Sequence, residues 1–506
     1  MNQTPDNTPI LVGSGQRTWH ATDAARTPVD ALHEAAAAAF ADVGAQRLES
    51  AIDTLAMVRF IADTTPGVGA LFPRNPGREL ARRLGIDDPA IFQGTIGGNT
   101  PQYLVNHFAG KLARGEHGAV LLAGAELLAT LFSVLRSGED ISAWAGDTAT
   151  EPPTVGQERE GHTATELAHG LYEPINTYPL FENALGHHLG LTRAQHAAHI
   201  AEICSRMSRV AADNPLAWRP QFLDAQQISA VSQKNRYIGY PYTRAMNPIL
   251  EVDMAAAVIM TTAGKARQLG IDEGRWIYLH GGADVNDIWY VSERPDLHSS
   301  PAIGQAWRAV RDHSGVTLDQ ICHFDIYSCF PSAVQIACNA IGLSPLDERG
   351  VTVTGGLPCF GGPGNNYSLH AIAQMYQTLR RGTGYGLVTA NGFYLTKHSI
   401  GLYSTLPPAR PWQAIDCSAL QRQVDATPAL PLARDVAGAA TVETFTVSFS
   451  REGPKQGIVI ARNDAGERVV ANTESNSQVL DQLLAQDPIG HRGTVHVRDG
   501  LNLFDF

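Results

Sequence analysis

The chain has 506 residues, of which 44% are hydrophobic and 17% are charged, and its formal net charge is −12. This length exceeds a single ordinary hydrophobic core, so two or three domains are expected. The acidic balance argues against nucleic acid or an anionic membrane as the main partner, because phosphate binding depends on clustered Lys and Arg.

The cysteines and the first residues bear on the cellular compartment. Six cysteines are scattered without CxxC spacing, which indicates neither a zinc site nor a disulfide framework. The N-terminus, MNQTPDNTPILVG, has no basic region followed by an apolar stretch, and no apolar run is long enough to span a bilayer. We therefore expect a soluble, cytoplasmic protein without a membrane span.

Apolar strands alternate with helical patterns over the first 128 residues. The strand patterns are PILVGSG, IDTLAMVRFIA, AIFQG and HGAVLLAGAELL, and the helical patterns between them include TPVDALHEAAAAAFADVGA and GRELARRLGI. This rhythm predicts an α/β protein with βαβ units and a mostly parallel sheet.

One turn in this region has the form of a reactive loop. In QGTIGGNTPQYLVNHFAGKL, residues 93–112, a strand runs into Gly97 and Gly98 and a helix begins directly behind them. Glycines permit a close approach of the backbone to a ligand, and the free N–H groups of a helix start suit a carbonyl oxygen or a phosphate. The turn carries Thr95 but no cysteine or serine. A plain helix start capped by Asn99 is the alternative.

Residues 129–248 break the α/β rhythm, and a long insertion of this kind is more often functional than structureless. It contains a basic, aromatic stretch with Lys234, Arg236 and Arg244, for which we predict contact with a nucleotide diphosphate; a plain surface loop is an equal alternative. Its clustered histidines lack an acidic partner at zinc spacing, so no metal site is expected.

The strand and helix pattern returns after residue 248, and its motifs resemble those of the thiolase superfamily over residues 8–405. Sterol-carrier-protein thiolases and thiolase-like proteins of type 1 are the most similar groups. Thiolases carry the acyl-accepting cysteine in C-x-S-G, where this chain has TIGG with Thr95. Their N-E-A-F or H-D-C-F motif corresponds to YSCF from Tyr327, and G-H-P-x-G and C-x-G correspond to GGPG at 361–364 and ANG at 390–392. The catalytic cysteines of the family are therefore expected to be missing.

The resemblance implies a duplicated βαβαβ thiolase fold with five layers, α-β-α-β-α, an inserted loop domain and a small C-terminal β-barrel. The expected domains are an N-terminal thiolase half at 1–128 plus 249–270, a loop domain at 129–248, a C-terminal thiolase half at 271–405, a linker at 406–430 and an OB-like domain at 431–506.

The tail itself supports the last of these domains. TVETFTVSFSR, GIVIARNDAGERVVANT and RGTVHVRDGLNLF alternate apolar and polar residues, and NDAGE is typical of a hairpin turn. These patterns predict a small antiparallel barrel, which is similar to the extra C-terminal domain of type 1 thiolase-like proteins. Acidic residues outnumber basic ones in 431–506, which disfavours nucleic acid as its ligand.

The resemblance also implies a thioester site. Backbone amides at the two glycine turns are expected to cradle a carbonyl oxygen, with asparagine donors beside the second turn. The residues expected to contact the substrate are Gly97, Gly98, Gly361, Gly362, Asn365, Asn366 and Cys359.

The candidate catalytic residues are Tyr327, His398 and Thr95. His398 lies in KHSIGL, which is similar to the Q-H-N-x-G-L segment of sterol-carrier-protein thiolases, and imidazole is the natural acid and base near neutral pH. Tyr327 stands where the family has Asn or His. Thr95 can act as a nucleophile only with a strong adjacent base, because an unassisted hydroxyl is too weakly acidic.

Three functions stay open. The first is an acyltransferase-like protein of lipid metabolism that acts on a CoA thioester without the usual cysteine. A retro-aldol lyase acting on a β-hydroxyacyl-CoA and a non-catalytic acyl-CoA binding protein are the alternatives. We expect no tightly bound cofactor beyond the CoA thioester itself, and a homodimer is possible because thiolases are usually dimers.

Overall fold

The computed structural model describes residues 4–45, 48–146, 150–433 and 436–506. The strands are β1 Pro9–Thr18, β2 Thr54–Met57, β3 Ala90–Gly94, β4 Ala119–Leu127, β5 Thr154–Val155, β6 Tyr237–Gly239, β7 Tyr242–Thr243, β8 Asp253–Thr262, β9 Ile277–Asn286, β10 Ile321–Asp325, β11 Tyr385–Gly392, β12 Lys397–Ser404, β13 Gly438–Phe449, β14 Pro454–Asn463, β15 Arg468–Asn472, β16 Arg492–Arg498 and β17 Leu501–Asp505. The helices are α1 Pro28–Val43, α2 Pro76–Leu84, α3 Thr100–Ala113, α4 Leu128–Ser137, α5 Ala164–Ala168, α6 Pro174–His188, α7 Arg193–Ala212, α8 Ala225–Ser229, α9 Ala263–Gln268, α10 Pro301–Ser314, α11 Pro331–Ile341, α12 Tyr367–Leu379, α13 Cys417–Asp425 and α14 Ser477–Ala485.

The main sheet contains the same strand pattern twice. Its order is β10-β11-β12-β9-β1-β8-β4-β2-β3-β5. In the first half, the parallel pair β2 and β4 is followed by antiparallel β8 and β1. In the second half, the parallel pair β10 and β11 is followed by antiparallel β12 and β9. A short antiparallel pairing of β1 with β9 joins the halves, as in the duplicated fold that the motifs predict.

The sheet is mixed, so the prediction of a mostly parallel sheet is wrong. Strands β8 and β12 each pair antiparallel with both neighbours. Both are buried along nearly their whole length. The apolar run of β8 therefore indicates burial on both faces and says nothing of strand direction. Strand β12, KHSIGLYS, is buried although it contains Lys397, His398 and Ser399.

Helices cover the two halves in layers. Helix α1 packs on β1, β8 and β4, and α2 packs on α1 and β2. Helices α3 and α12 contact each other and strands of both halves, and α10 packs on β9, β12 and α11. The arrangement is the five-layered α-β-α-β-α fold expected from the resemblance, and α3 in its central layer follows the TIGG turn.

Local sequence explains how these layers approach so closely. Helix α1 begins at a capping box of Thr27 and Asp30 and ends at Gly44, whose φ of +67° favours glycine. A Cβ atom on Gly15 of β1 would lie 2.1 Å from the carbonyl oxygen of Ala35, so a side chain there would push α1 off the sheet. Small residues on both elements therefore set their spacing.

The C-terminal region forms the small barrel predicted from its alternation. Strand β13 pairs with β14 and β16, β14 with β15, β15 with β17, and β17 with β16, so the five strands close on themselves. The inserted region contributes the β6–β7 hairpin, which pairs with β13 at Gly239 and Ser448. Asn183 of α6 also donates to the carbonyl oxygen of Phe445 at 2.8 Å. The barrel is thus bound to the insertion by backbone and side-chain hydrogen bonds.

The proline-rich segment before the barrel contains a helix that we did not predict. Helix α13 packs on α10 and β9, and Gln421 accepts a hydrogen bond from the backbone amide of Asn286 at 2.7 Å. Among the described residues, no helix combines the length and apolar character needed to cross a bilayer. The same residues contain no group of three or more His, Cys, Asp or Glu side chains arranged to hold a metal ion.

Candidate functional site

A cavity of about 950 Å³ opens beside the turn between β3 and α3. Its other walls are the ends of β9 and β12 and the unpredicted helix α13. The side chains of chemical interest that line it are those of Thr95, Asn99, Asp284, Lys397 and Cys417. Thr95 therefore lies on the cavity wall, and two of the remaining groups come from strands of the second half.

The TIGG turn holds Thr95 in a fixed position. Its carbonyl oxygen accepts a hydrogen bond from the hydroxyl of Thr100 at 2.7 Å, which ties the residue to the first turn of α3. Thr95 lines the cavity although it is only 6% exposed, so its side chain is largely shielded from solvent.

Lys397 brings an amino group to this hydroxyl. Its Nζ lies 3.4 Å from Oγ1 of Thr95, donates to the carbonyl oxygen of Ile96, and sits 4.6 Å from the ring centre of Phe393. Within the described ranges, no carboxylate forms an ion pair with Nζ. Burial lowers the pKa of Lys397 to about 8, because the charged form loses hydration that the charge of Glu158 offsets only in part.

Two glycines make room for the lysine side chain. A Cβ atom on Gly97 would lie 2.8 Å from Nζ of Lys397, and one on Gly392 would lie 3.0 Å from its Cε and 2.4 Å from Oδ1 of Asn99. The φ of Gly97, +146°, is also one that residues with side chains rarely adopt. These glycines therefore serve the cavity by leaving space for the amine and the amide.

A carboxyl group completes the polar wall. Asn106 of α3 donates to Oδ1 of Asp284 at 3.0 Å, and burial raises the pKa of Asp284 to about 7. Asn99 donates to the hydroxyl of Ser399 at 3.4 Å. Because side chains alternate along a strand, Lys397 and Ser399 of β12 face the same side. Asp284 pairs with Ser399 across the two strands, so the carboxyl and the amine share one wall.

His398 points to the other side of β12 and is held by a carboxylate. Its Nε2 lies 2.9 Å from Oδ2 of Asp287, and the imidazole is 2% exposed. Burial raises the pKa of Asp287, but hydrogen bonding and charge from His398, with smaller contributions from Arg294 and Ser300, bring it below its ordinary value. His398 is one of the residues that line the cavity, but its Nε2 is hydrogen-bonded to Asp287.

Two of the amides expected to form the cradle at the glycine turns have partners within the protein. The Gly97 amide donates to Oδ1 of Asn365 at 2.8 Å, and the Gly362 amide donates to the carbonyl oxygen of Ile249 at 2.8 Å. Asn366 donates to the carbonyl oxygen of Gly124 at 2.9 Å. The second glycine loop, residues 361–366, is not part of the cavity wall and instead supports the TIGG turn from behind.

Two further candidates, Tyr327 and Cys359, do not line the cavity. The hydroxyl of Tyr327 would be 2.0 Å from a Cβ atom on Gly98, so the phenol packs directly against the turn. Burial raises the pKa of Tyr327 well above its ordinary value, which disfavours it as a base. Cys359 is buried outside the cavity, and burial raises its pKa to about 11. The structure therefore does not bring Tyr327, Cys359 and Thr95 into one reaction site.

The basic stretch of the insertion is also separate from the cavity. Lys234 and Arg244 are exposed, and Arg236 donates to the neighbouring carbonyl oxygen of Tyr237 at 3.0 Å. None of these three cations lines the cavity. Other arginines do so: Arg114, Arg159 and Arg422.

Sequence reasoning missed Lys397, Asp284 and the wall formed by α13. Lys397 lies in a strand that is buried along its whole length, where an unpaired lysine is rare. The N-cap residue Asp416 is a local signal for helix α13, but the position of the helix on the cavity wall depends on how a proline-rich segment folds back over β9.

Comparison with known proteins shows which proteins the chain resembles. Residues 419–500 match the model of the thiolase-like protein type 1 additional C-terminal domain. The monomeric SCP2-thiolase-like protein type 1 of Mycobacterium smegmatis is 34% identical, covers 99% of this chain and 100% of its own, and superposes with a TM-score of 0.84. The Ltp2–ChsH2(DUF35) aldolase structure is 18% identical over 79% of this chain and 98% of its own, with a TM-score of 0.59, and shows the fold alone.

Curated sequences match over a shorter span. A 3-ketoacyl-CoA thiolase of Salmonella heidelberg is 26% identical over 163 residues, which are 29% of this chain and 35% of the relative. The chain thus matches about a third of that relative's length. Because the full-length likeness to the Mycobacterium smegmatis protein exceeds these partial matches, the chain belongs to the family of SCP2-thiolase-like proteins of type 1, within the thiolase superfamily.

Proposed function

We propose that this protein is an acyltransferase-like enzyme that acts on acyl-CoA thioesters in the cavity beside Thr95. One observation supports the proposal above all. Thr95 stands where the thiolase motif has its acyl-accepting cysteine, and the structure puts its hydroxyl on the cavity wall within 3.4 Å of a buried amine.

The cavity suits a CoA thioester in size and charge. Small-molecule sites usually measure about 300–1,000 Å³, and this one, at about 950 Å³, lies at the upper end. Arg114, Arg159 and Arg422 are exposed on its wall, where guanidinium groups pair with phosphate oxygens in two-point contacts. The acyl and pantetheine portions then extend inward toward Thr95. In this arrangement the cavity arginines take the phosphate-binding role that the sequence predicts for the basic stretch of the insertion.

Two groups on one wall are suited to proton transfer at neutral pH. The pKa values of Asp284 and Lys397, about 7 and about 8, allow each to exist in both protonation states near pH 7. A base and an acid of this kind are what acyl transfer needs, since a proton leaves the acceptor and another reaches the departing thiolate.

The test is CoA release from a panel of acyl-CoA substrates, followed with a thiol reagent in the presence of the purified full chain. We expect release from at least one chain length, and a loss of about 100-fold or more in Lys397→Met. Cys359→Ser is the matched control and is expected to keep the wild-type rate, because its thiol is buried outside the cavity. Binding without release by the wild type would support the non-catalytic alternative instead.

Retro-aldol cleavage is the second candidate, and the carboxyl group favours it. A base at Asp284 or Lys397 takes the proton of a β-hydroxyl, the bond between Cα and Cβ breaks, and the resulting enolate takes a proton at Cα. The products are a shorter acyl-CoA and an aldehyde or ketone, with no free CoA. Mass spectrometry of reactions with β-hydroxyacyl-CoA therefore separates the two candidates.

The homodimer stays a prediction. The Mycobacterium smegmatis relative is described as monomeric. Light scattering of the purified chain, whose mass is 54.3 kDa, distinguishes one copy from two.

A further inference from the structure

We propose that Lys397 is the general base that activates Thr95, and that Thr95 carries the acyl group as an oxygen ester during turnover. The inference rests on the proposed function, because it assigns the nucleophile and base of the same thioester site. The hydroxyl of Thr95 and the amine of Lys397, which come from opposite halves of the fold, would take the roles of the cysteine and histidine in the family motifs.

The contacts leave Thr95 and Lys397 directed at each other. Among the described residues, Nζ of Lys397 is the hydrogen-bond partner of Oγ1 of Thr95, while the backbone oxygen of Thr95 is taken by Thr100. The carbonyl oxygen of Ile96 holds Nζ from a second direction. Their separation of 3.4 Å is long for a hydrogen bond, and catalytic contacts often tighten when substrate binds.

The surroundings of the amine favour its neutral form. Lys397 is 7% exposed, and Gly97 and Gly392 present no side chain to it. The Phe393 ring attracts an ammonium, so burial and not this contact favours the neutral amine. With no ion-pair partner among the described carboxylates, the ammonium gains little to offset its lost hydration. A neutral amine has one lone pair, and the hydroxyl of Thr95 is placed to donate to it.

The chemical step balances with the groups present. The Thr95 hydroxyl gives its proton to Nζ as Oγ1 attacks the thioester carbonyl carbon, an O–C bond forms, and the C–S bond breaks. The ammonium of Lys397 then returns the proton to the departing thiolate, which leaves as CoA. Asn99 lines the same cavity, and its buried Oδ1 has no hydrogen-bond partner among the described residues.

The experiment is mass spectrometry of the intact protein and its peptides after rapid acid quenching of a reaction with acyl-CoA. We expect an acyl adduct on the peptide containing Thr95, stable to neutral hydroxylamine, which cleaves thioesters. The rate of adduct formation is expected to rise with pH around a midpoint near 8. Thr95→Ser is expected to keep the adduct, and Thr95→Val, Lys397→Met and Lys397→Arg are expected to lose it at least 100-fold. Arg cannot serve as the base because its guanidinium stays protonated.

The controls separate this inference from the proposed function. Cys322→Ser changes an exposed thiol that does not line the cavity and is expected to leave the adduct unchanged. CoA release by Thr95→Val at the wild-type rate would overturn the ester intermediate and leave acyl-CoA chemistry standing. A wild-type chain that neither binds nor cleaves acyl-CoA would overturn both. Circular dichroism and thermal melting of each variant establish that it is folded.

Discussion

The backbone amide of Gly97 donates to Oδ1 of Asn365 at 2.8 Å, although the two residues lie 268 positions apart. Asn365 also donates from Nδ2 to the carbonyl oxygen of Arg59 at 2.9 Å and is 2% exposed. One side chain of the C-terminal half thus holds two backbone segments of the N-terminal half. The TIGG turn, and with it Thr95, depends on this contact for its position.

Replacing Asn365 with Leu is expected to destabilise the fold. The change keeps the volume but leaves a buried N–H and a buried C=O without partners, at about 1–3 kcal/mol for each group. Thermal unfolding measures the loss. Asn7→Ala, at an exposed residue whose contact with Ala113 is long at 3.4 Å, is the control and is expected to change stability by less than about 0.5 kcal/mol. Equal midpoints for the two variants would show that the turn is held by other contacts.

Glu126 makes the stability of the fold depend on pH. It is fully buried, accepts from the Ile61 amide at 2.8 Å, and has a second oxygen without a partner among the described residues. Burial raises the pKa of Glu126 to about 8. The folded state therefore holds a proton that the unfolded state releases, and stability falls as pH rises from about 4.5 to 8, with a limiting slope of about 1.4 kcal/mol per pH unit.

Glu126→Gln is expected to remove this slope, since the amide keeps the acceptor and cannot ionise. Unfolding midpoints of wild type and variant should agree near pH 4.5 and separate progressively as the pH rises to about 8, with the variant more stable. Parallel curves across this range would mean that Glu126 does not titrate in the folded state.

The Asp287 and His398 pair has the opposite pH dependence. Because the pKa of Asp287 in the folded state lies below its ordinary value of 3.8, its stabilisation is fully present above pH 3.8 and is lost as pH falls through the folded pKa. Asp287→Asn is expected to lower the unfolding midpoint at pH 6, and the gap to wild type should shrink below pH 4. Asp87→Asn, at an exposed carboxylate, is the control. A gap that stays constant with pH would contradict the pairing.

The cavity arginines are expected to bind the phosphates of CoA. The double variant Arg159→Ala and Arg422→Ala should weaken CoA binding by about tenfold at low salt, and by less as ionic strength rises. The matched control is Arg236→Ala and Arg244→Ala, which removes the same charge from the β6–β7 region and should leave the dissociation constant unchanged. Calorimetric titration with CoA gives both values. If only the control pair weakened binding, the nucleotide would lie on the insertion.

Much of the fold could be predicted because its signals are local. The capping box before α1, the alternation in the barrel strands and the glycine turn before α3 each lie within a few residues of the structure that they specify. Strand direction in the main sheet could not be predicted, because a strand buried on both faces has the same composition whether its neighbours run parallel or antiparallel.

The site was harder to predict than the fold, and Gly97 shows why. A glycine turn before a helix suggests free amides, but whether the Gly97 N–H is free depends on Asn365, far away in sequence. Gly97 is needed for another reason, because a side chain at this position would collide with the side chain of Lys397. Motif alignment drew attention to Thr95 but not to Lys397, because in the KHSIGL motif it singled out the neighbouring His398.

The central claim is that Lys397 presents a largely desolvated amine to a thioester cavity. Its most direct test is competitive labelling of the native protein with acetic anhydride across pH 6–11, read at Lys397 by peptide mass spectrometry. The account predicts a labelling midpoint near pH 8 and strong protection of Lys397 when a CoA thioester is bound. A midpoint near the ordinary lysine value of 10.5, or labelling that bound thioester does not slow, would contradict it.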